Sequence, residues 1–328
     1  MIGSLAGKRV LVTGATGFIG EHVAQRLHAV GAHVLALERT PGKGERLAQL
    51  GIEVVAGDIT DRARMEAILS QNVQVVMHLA AWLGSRNWRL AEPVNVLATR
   101  HLAQISAAVN VERFVFVSSI AVYGAIGNAT VDEDTLLRPH GDPYGDSKIR
   151  AEAALREVAE QTGLPYVIVR PGMVYGPGSR TWTLRVAQWA KAGRIPIIGG
   201  GRGSAFPIYI DDLVDLLLLC AVHPRAVGEI FNAVSDGPIT LAEYLGGYMR
   251  MIPTTRAIRV PCWVARFIAA LADPFVRRYR LTTVIGQMCG RGQISNRKAK
   301  DLLGWSPRVP LAEGLRRSEA WLRAEGIL

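Results

Sequence analysis

Apolar and polar positions alternate in blocks through the first half of the chain, and the block lengths predict a regular succession of strands and helices. Residues 9–14 (RVLVTG) form a short, β-branched, apolar run, the pattern of a parallel strand buried on both faces. Residues 18–30 follow with helical spacing, and Gly31 stands where a helix stops. The same rhythm predicts strands at 33–38, 53–58, 73–80, 113–119 and 166–171, and helices at 44–50, 61–70, 91–109 and 144–162. Repeated β-α units of this kind imply an α/β protein with a doubly wound parallel sheet of the Rossmann type. After Pro171 the rhythm breaks. Gly and Pro crowd 172–203, and helical patterns dominate beyond, with one further strand at 229–232. A smaller, mainly helical C-terminal lobe is the expectation.

Composition narrows this picture. The chain has 328 residues, 49% hydrophobic and 20% charged, which is enough for a large core and excludes disorder. Its formal net charge is +10, but the basic residues read as scattered, and the densest run, Arg277, Arg278 and Arg280, is short. A solvated basic surface that suits an anionic ligand is expected, and no nucleic-acid partner. Cys220, Cys262 and Cys289 lie far apart, with no CxxC, no metal-ligand spacing and no disulfide framework. No metal is expected, and a reducing, cytoplasmic compartment is. A strand beginning near Arg9 leaves no room for a signal peptide. The longest apolar run, 213–222, is interrupted by Asp215 and too short to span a bilayer, so no integral membrane segment is expected. Residues 261–275 (PCWVARFIAALADPF) are apolar around Arg266. They can lie on a membrane or, as is expected here, form an amphipathic helix capping the lobe.

Two motifs carry chemistry. Residues 13–20 (TGATGFIG) place Gly14, Gly17 and Gly20 between a strand and a helix. Gly14 permits a tight turn, Gly17 a close approach of backbone to a pyrophosphate, and Gly20 close packing of helix on sheet. Glu38 ends the next strand, where a carboxylate can bind adenosine ribose hydroxyls; this favours NAD. Arg39 beside it, with Lys43 and Arg46 nearby, leaves NADP open. Asp58 ends the third strand, either to meet an adenine amino group or to cap the following helix. Tyr144-Gly-Asp-Ser-Lys148 places a phenol and an ammonium on one helix face. The cation is expected to lower the phenol's pKa so that Tyr144 can exchange a proton with a substrate oxygen. Ser119, at the carboxyl end of the fifth strand, can hold that oxygen; alternatively it bonds only to backbone. The division that follows is a dinucleotide-binding domain at 1–172 and 206–233, and a substrate-binding lobe at 173–205 and 234–328.

On these residues, and on AGDIT (56–60), HLAA (78–81), SSIAVYG (118–124), RPGMVYGPG (170–178), YIDDLVD (209–215) and LLGWSP (302–307), the chain resembles the extended short-chain dehydrogenase/reductase superfamily. Its likeness is to the NAD-dependent epimerase/dehydratase and 3β-hydroxysteroid dehydrogenase type, and it covers essentially the whole chain. The resemblance implies Ser119, Tyr144 and Lys148 as catalytic residues. It implies a cofactor site built from Gly14, Thr16, Gly17, Phe18, Ile19, Gly20, Glu38, Arg39, Asp58, Ile59, Leu79, Ala80, Ala81, Val117, Pro171, Gly172, Met173 and Val174, with Tyr144 and Lys148. His78 would be structural, and a homodimer would form through helices 91–109 and 144–162.

Two departures bear on substrate. Nucleotide-sugar members carry an asparagine where this chain has Met173, and an arginine where it has Ala205, although Arg202 lies near. A diphosphate needs such donors. The chain therefore resembles the hydroxysteroid dehydrogenase-like and dihydroflavonol reductase-like branches, with Trp82, Ser119, Met173, Trp182 and Phe206 walling a pocket for an apolar or cyclic secondary alcohol or ketone. The alternatives are a nucleotide-sugar epimerase or dehydratase that recycles its cofactor in place, and a non-enzymatic subunit that kept the fold.

Overall fold

The computed structural model describes residues 2–83, 87–276 and 280–328. Arg277 and Arg278 of the basic run lie outside the described residues. Seven parallel strands form the central sheet. In chain order they are β1 (Arg9–Thr13), β2 (His33–Glu38), β3 (Glu53–Ala56), β4 (Val75–His78), β5 (Arg113–Val117), β6 (Tyr166–Pro171) and β7 (Ile230–Ala233). They lie side by side as β7-β6-β5-β4-β1-β2-β3. The strand order reverses between β1 and β4, so a crevice opens there at the carboxyl edge, the place where such sheets bind ligands.

Strand periodicity sends alternate side chains to opposite faces. On one face Val10, Val12, Ala36, Met77, Val115 and Val169 join α1 (Phe18–Ala29) and α6 (Ile210–Val222) in the larger core cluster. On the other, Leu11, Leu35, Val76, Phe114, Phe116 and Ile168 pack against α3 (Arg62–Leu69), α4 (Ala98–Ala108) and α5 (Pro143–Thr162). Burial on both faces is why these strands read as unbroken apolar runs. A short α2, Glu45–Gln49, lies between β2 and β3. The helix expected at 91–109 begins earlier, at Trp88–Glu92, and passes through a π-helical turn, Pro93–Leu97, before α4. The apolar run at 213–222 belongs to α6, which packs against α1 and the sheet.

Beyond the sheet, short strand pairs tie the remaining segments together. Met173–Tyr175 pairs with Pro207–Tyr209, Ser204–Ala205 with Ile239–Thr240, and Arg194–Ile198 with Arg256–Val260. Two helices, α7 (Cys262–Ala272) and α8 (Leu281–Cys289), form a hairpin closed by a disulfide between Cys262 and Cys289. This overturns the expectation of no disulfide. The cysteines stand 27 residues apart, and only the antiparallel return of α8 brings their Cα atoms to 6.0 Å. Cys220 is a free, buried thiol in α6. Among the described residues no helix is long and apolar enough to cross a membrane, and no His/Cys/Asp/Glu cluster suits a metal. The apolar face expected to cap the lobe is not turned inward: α7 buries only Ala265 and Ala269.

Candidate active site

The site is assembled where β1, β4, β5 and β6 end. Gly14 leaves β1 at φ +70°, and a Cβ there would stand 2.8 Å from the amide nitrogen of Ala80. Gly20 lies so close to the turn that a Cβ would strike the Gly14 carbonyl. Gly17 is exposed and occupies the N-cap of α1 with no side chain over the first amides. A helix start with bare N–H groups attracts phosphate. Thr16, Phe18 and Ile19 sit half-buried around it, with Leu79, Ala80 and Ala81 facing from the end of β4.

Behind the loop, buried His78 holds β1, β4 and α4 together. Its Nδ1 lies 2.7 Å from Thr13 Oγ1, and its Nε2 lies 2.9 Å from Thr99 Oγ1. The Thr99 hydroxyl donates to the Asn95 carbonyl at 2.8 Å, so Nε2–H must be the donor to Thr99. Thr13 then donates to Nδ1 while its oxygen accepts from Ala80 N at 3.2 Å. Burial pulls the imidazole pKa down to about 3, with Lys148 adding to the effect, so the ring is a neutral fastener.

At the outer strands, Glu38 is half-buried and accepts from Gly44 N at 2.9 Å, while Arg39 is exposed. Arg46 pairs with Glu21 at 3.0 Å. Asp58 does not cap α3. Its Oδ1 accepts from Thr60 N and Oγ1 at 2.9 and 2.7 Å, and Asp61 caps the helix by accepting from Arg64 N. Ile59 is part of the core.

α5 delivers the tyrosine and lysine. Asp142 caps it by accepting from Gly145 N, Pro143 suits its first turn, and Gly163 ends it at φ +74°. Gly145 is needed for close approach: a Cβ would lie 2.6 Å from the Ala121 carbonyl. Ser119 N-caps a short 3-10 turn, and its Oγ accepts from Ala121 N at 3.1 Å. Its hydroxyl proton is left to donate, and hydrogen bonding from Ser119 lowers the Tyr144 pKa. Burial outweighs that bond and, with Asp142, pushes the phenol up to about 12. The expectation that the neighbouring cation dominates is therefore corrected. Lys148 is itself 1% exposed, and burial pulls its amine down to about 7, opposed by Glu152. Its Nζ donates to the Val117 carbonyl at 2.8 Å and lies 4.5 Å from the Phe116 ring centre.

Glu152, one turn beyond Lys148, was not among the predicted residues. Its two oxygens accept from Arg170 Nε and Nη2 at 3.0 and 2.7 Å, and Ser118 donates to it as well. Arg170 Nη1 also reaches Tyr123 Oη at 2.8 Å. This buried fork–fork pair ties α5 to β6 directly behind the reacting groups. Its sequence signal is the continuation of Tyr144 and Lys148 by an acid at the next four-residue step.

The predicted pocket wall divides. Met173 N donates to the Phe206 carbonyl at 2.7 Å, and Phe206 packs with Ile120, Val131, Val234 and Ile294 beside Ser119. Gly172 has no room for a Cβ against that carbonyl, and Pro171 and Val174 are buried. Trp82 has its Nε1 buried without a partner. Trp182 packs against the main core, and its carbonyl accepts from the hydroxyls of Tyr244 and Tyr248. Farther out, a cavity of about 410 Å³ is lined by Arg202, Arg259 and Arg291, the 199–203 loop and both disulfide cysteines.

The chain matches the NAD dependent epimerase/dehydratase family over residues 10–233. It is 30% identical to a UDP-glucose 4-epimerase of Vibrio cholerae, over 97% of this chain and 96% of the relative. It is 27% identical to 3beta-hydroxysteroid-dehydrogenase/decarboxylase isoform 1 of Arabidopsis thaliana, over 94% of this chain and 78% of the relative. Among solved structures it resembles an epimerase of Methanothermobacter thermautotrophicus, with a TM-score of 0.82, 25% identity, and coverage of 99% of this chain and 95% of that one.

Proposed function

Because the chain belongs to the NAD-dependent epimerase/dehydratase family, we propose that it moves a hydride between NAD and a secondary alcohol or ketone, and that its substrate is apolar or cyclic. The observation that carries this reading is the enclosed set of Ser119, Tyr144 and Lys148 at the carboxyl edge of the sheet, braced by Glu152 and Arg170. The division into a dinucleotide-binding part (1–172 and 206–233) and a substrate-binding lobe (173–205 and 234–328) belongs to the same reading.

The glycine contacts support a dinucleotide fit, since Gly14 and Gly20 leave only backbone at the turn and Gly17 bares the first amides of α1. Glu38 would take the ribose hydroxyls, with Gly44 N fixing its carboxylate, and this favours NAD over NADP. Thr16, Phe18, Ile19, Asp58, Ile59, Leu79, Ala80, Ala81, Val117 and the 171–174 segment would complete the cradle. When bound, NAD supplies the carbon that accepts or gives the hydride. Ser119 would donate to the substrate oxygen and hold it against Tyr144. In reduction the phenol gives its proton to that oxygen; in oxidation the phenolate takes it. Lys148 would orient the cofactor side of the site and supply positive charge when protonated.

The apolar surroundings of Met173, Ala205 and Phe206 support an apolar substrate. The test is turnover with cyclic and steroid-like secondary alcohols, followed by the change in nicotinamide absorbance. Stoichiometric NADH formation is expected, and its absence across the panel contradicts the reading. A second reading, nucleotide-sugar epimerisation, is favoured by one observation: Arg202, Arg259 and Arg291 converge on one cavity, as a diphosphate requires. Tight binding of UDP or dTDP, with no net NADH change, would establish it. A homodimer through α4 and α5 accompanies either reading, and a monomer in sedimentation velocity would remove it.

A further inference from the structure

Basic residues are dense between 244 and 300, although Arg297, Lys298 and Lys300 there are paired with Asp301, Glu229 and Asp236. Residues 244–300 carry nine arginines and two lysines against one acid, Asp273. Eleven positive charges less one give +10, the formal net charge of the whole chain, so the other residues sum to zero. The one acid is turned inward: Asp273 is half-buried and accepts from Leu281 N and Thr282 Oγ1, both at 2.6 Å, at the start of α8. Arg256, Arg259 and Arg266 are exposed.

The same segment carries an inverted helix. α7 turns its small residues inward and its large ones out. Only Ala265 and Ala269 are buried, while Trp263 is 74% exposed, Phe267 63% and Leu271 61%, with Phe275 at 85% just beyond the helix. Trp263, Phe267 and Leu271 stand at four-residue steps on one face of the helix, and Ile268 widens the stripe. Arg266 is exposed on the same helix, and Arg256 and Ile258 are exposed on the preceding strand. In water, a continuous apolar stripe of this kind marks an interaction site. Tryptophan, phenylalanine and leucine beside an exposed Arg266, with no exposed acid among the described residues of the hairpin, complement an acidic surface with an apolar interior beneath it.

We propose that the α7 face docks on the surface of an anionic lipid bilayer, making this a peripherally bound enzyme with α7 lying in the plane of the interface. The inference does not depend on the substrate class. The hairpin, closed on itself by the disulfide, is fastened to the rest of the molecule through α8, which packs on residues 194–201 and 204–205, and through Arg280, whose Nη1 donates to the His140 carbonyl at 3.2 Å. Docking therefore brings the membrane to the loop that leads into Tyr144.

The experiment is co-sedimentation of the full chain with vesicles of phosphatidylcholine alone and of phosphatidylcholine with phosphatidylglycerol. It is run at low and high salt, alongside the double variant Phe267→Glu/Leu271→Glu. Both replaced side chains are exposed, so melting temperature and NAD binding should hold. The wild type is expected to partition onto the phosphatidylglycerol vesicles, more weakly in high salt, and the variant to lose at least about tenfold in partition. Failure of the wild type to sediment with lipid overturns the proposal. So does equal partition of the variant, or equal binding to neutral vesicles. A wild-type dimer that dissociates in the variant without lipid binding also overturns it, by giving the face to a second copy of the chain.

Discussion

Burial moves Tyr144 and Lys148 in opposite directions, and both movements can be read in the laboratory. The phenol, pushed up to about 12, stays protonated through the neutral range, ready to donate in ketone reduction. Alcohol oxidation needs the phenolate, so its kcat/KM is expected to rise with pH across the alkaline range while reduction stays level. A pH profile with the opposite slopes contradicts the role. Lys148 offers a stability test. Its folded pKa, about 7, lies below the ordinary 10.5, so the unfolded chain binds more protons between those values and stability climbs with pH there. Below about 7 both states carry the proton and the native state bears the full cost of the buried charge. Lys148→Met is therefore expected to raise stability by roughly 1–3 kcal/mol below pH 7, after the lost bond to the Val117 carbonyl, with the gain fading towards pH 10.5. Thermal melts across pH check this; a variant destabilised at low pH sinks it. None of these displacements is legible in the residue types alone, since YxxxK predicts only that phenol and amine share a face, not how strongly burial acts on each.

At the scale of elements, the sequence reveals what is local. The strand ends at Gly14 and Glu38 and the helix carrying Tyr144 follow from neighbours within a few residues, whereas the cap of α3 falls on Asp61 and not on Asp58, the cap the sequence offered. Glu152 and Arg170 do not follow from near neighbours, because their pairing depends on α5 lying across β6. Glu152→Gln leaves Arg170 buried against a neutral amide, and a loss of about 3–5 kcal/mol is expected by chemical denaturation. A loss under about 1 kcal/mol would mean that the pair is not the brace described. The π-helical turn at 93–97 and the Cys262–Cys289 bond escape a sequence reading for the same reason: each is set by what packs alongside. Reduction of that disulfide, or Cys289→Ser, is expected to lower stability by about 2–4 kcal/mol, read as a lower melting temperature. An unchanged melt would mean that the hairpin stands without it.

For the whole molecule, the parallel sheet was legible because its inner strands are covered on both faces and read as apolar runs, while the order of the strands was not. The C-terminal third was less legible. Its strands are two to five residues long, and α7 shows the same amphipathic pattern whether its apolar side faces in or out. Only the structure reveals that the alanines are inside. A formal charge of +10 likewise reads as diffuse, and only the structure shows which basic residues, Arg256, Arg259 and Arg266 among them, are exposed.

The central claim is hydride transfer with Tyr144 as the proton carrier. The most direct measurement is single-turnover nicotinamide absorbance with a secondary alcohol or ketone substrate, comparing the wild type with Tyr144→Phe. A fall of about 10²-fold or more in the hydride step, with NAD affinity and fold retained, is the predicted result. Near-normal hydride transfer by Tyr144→Phe would contradict the account.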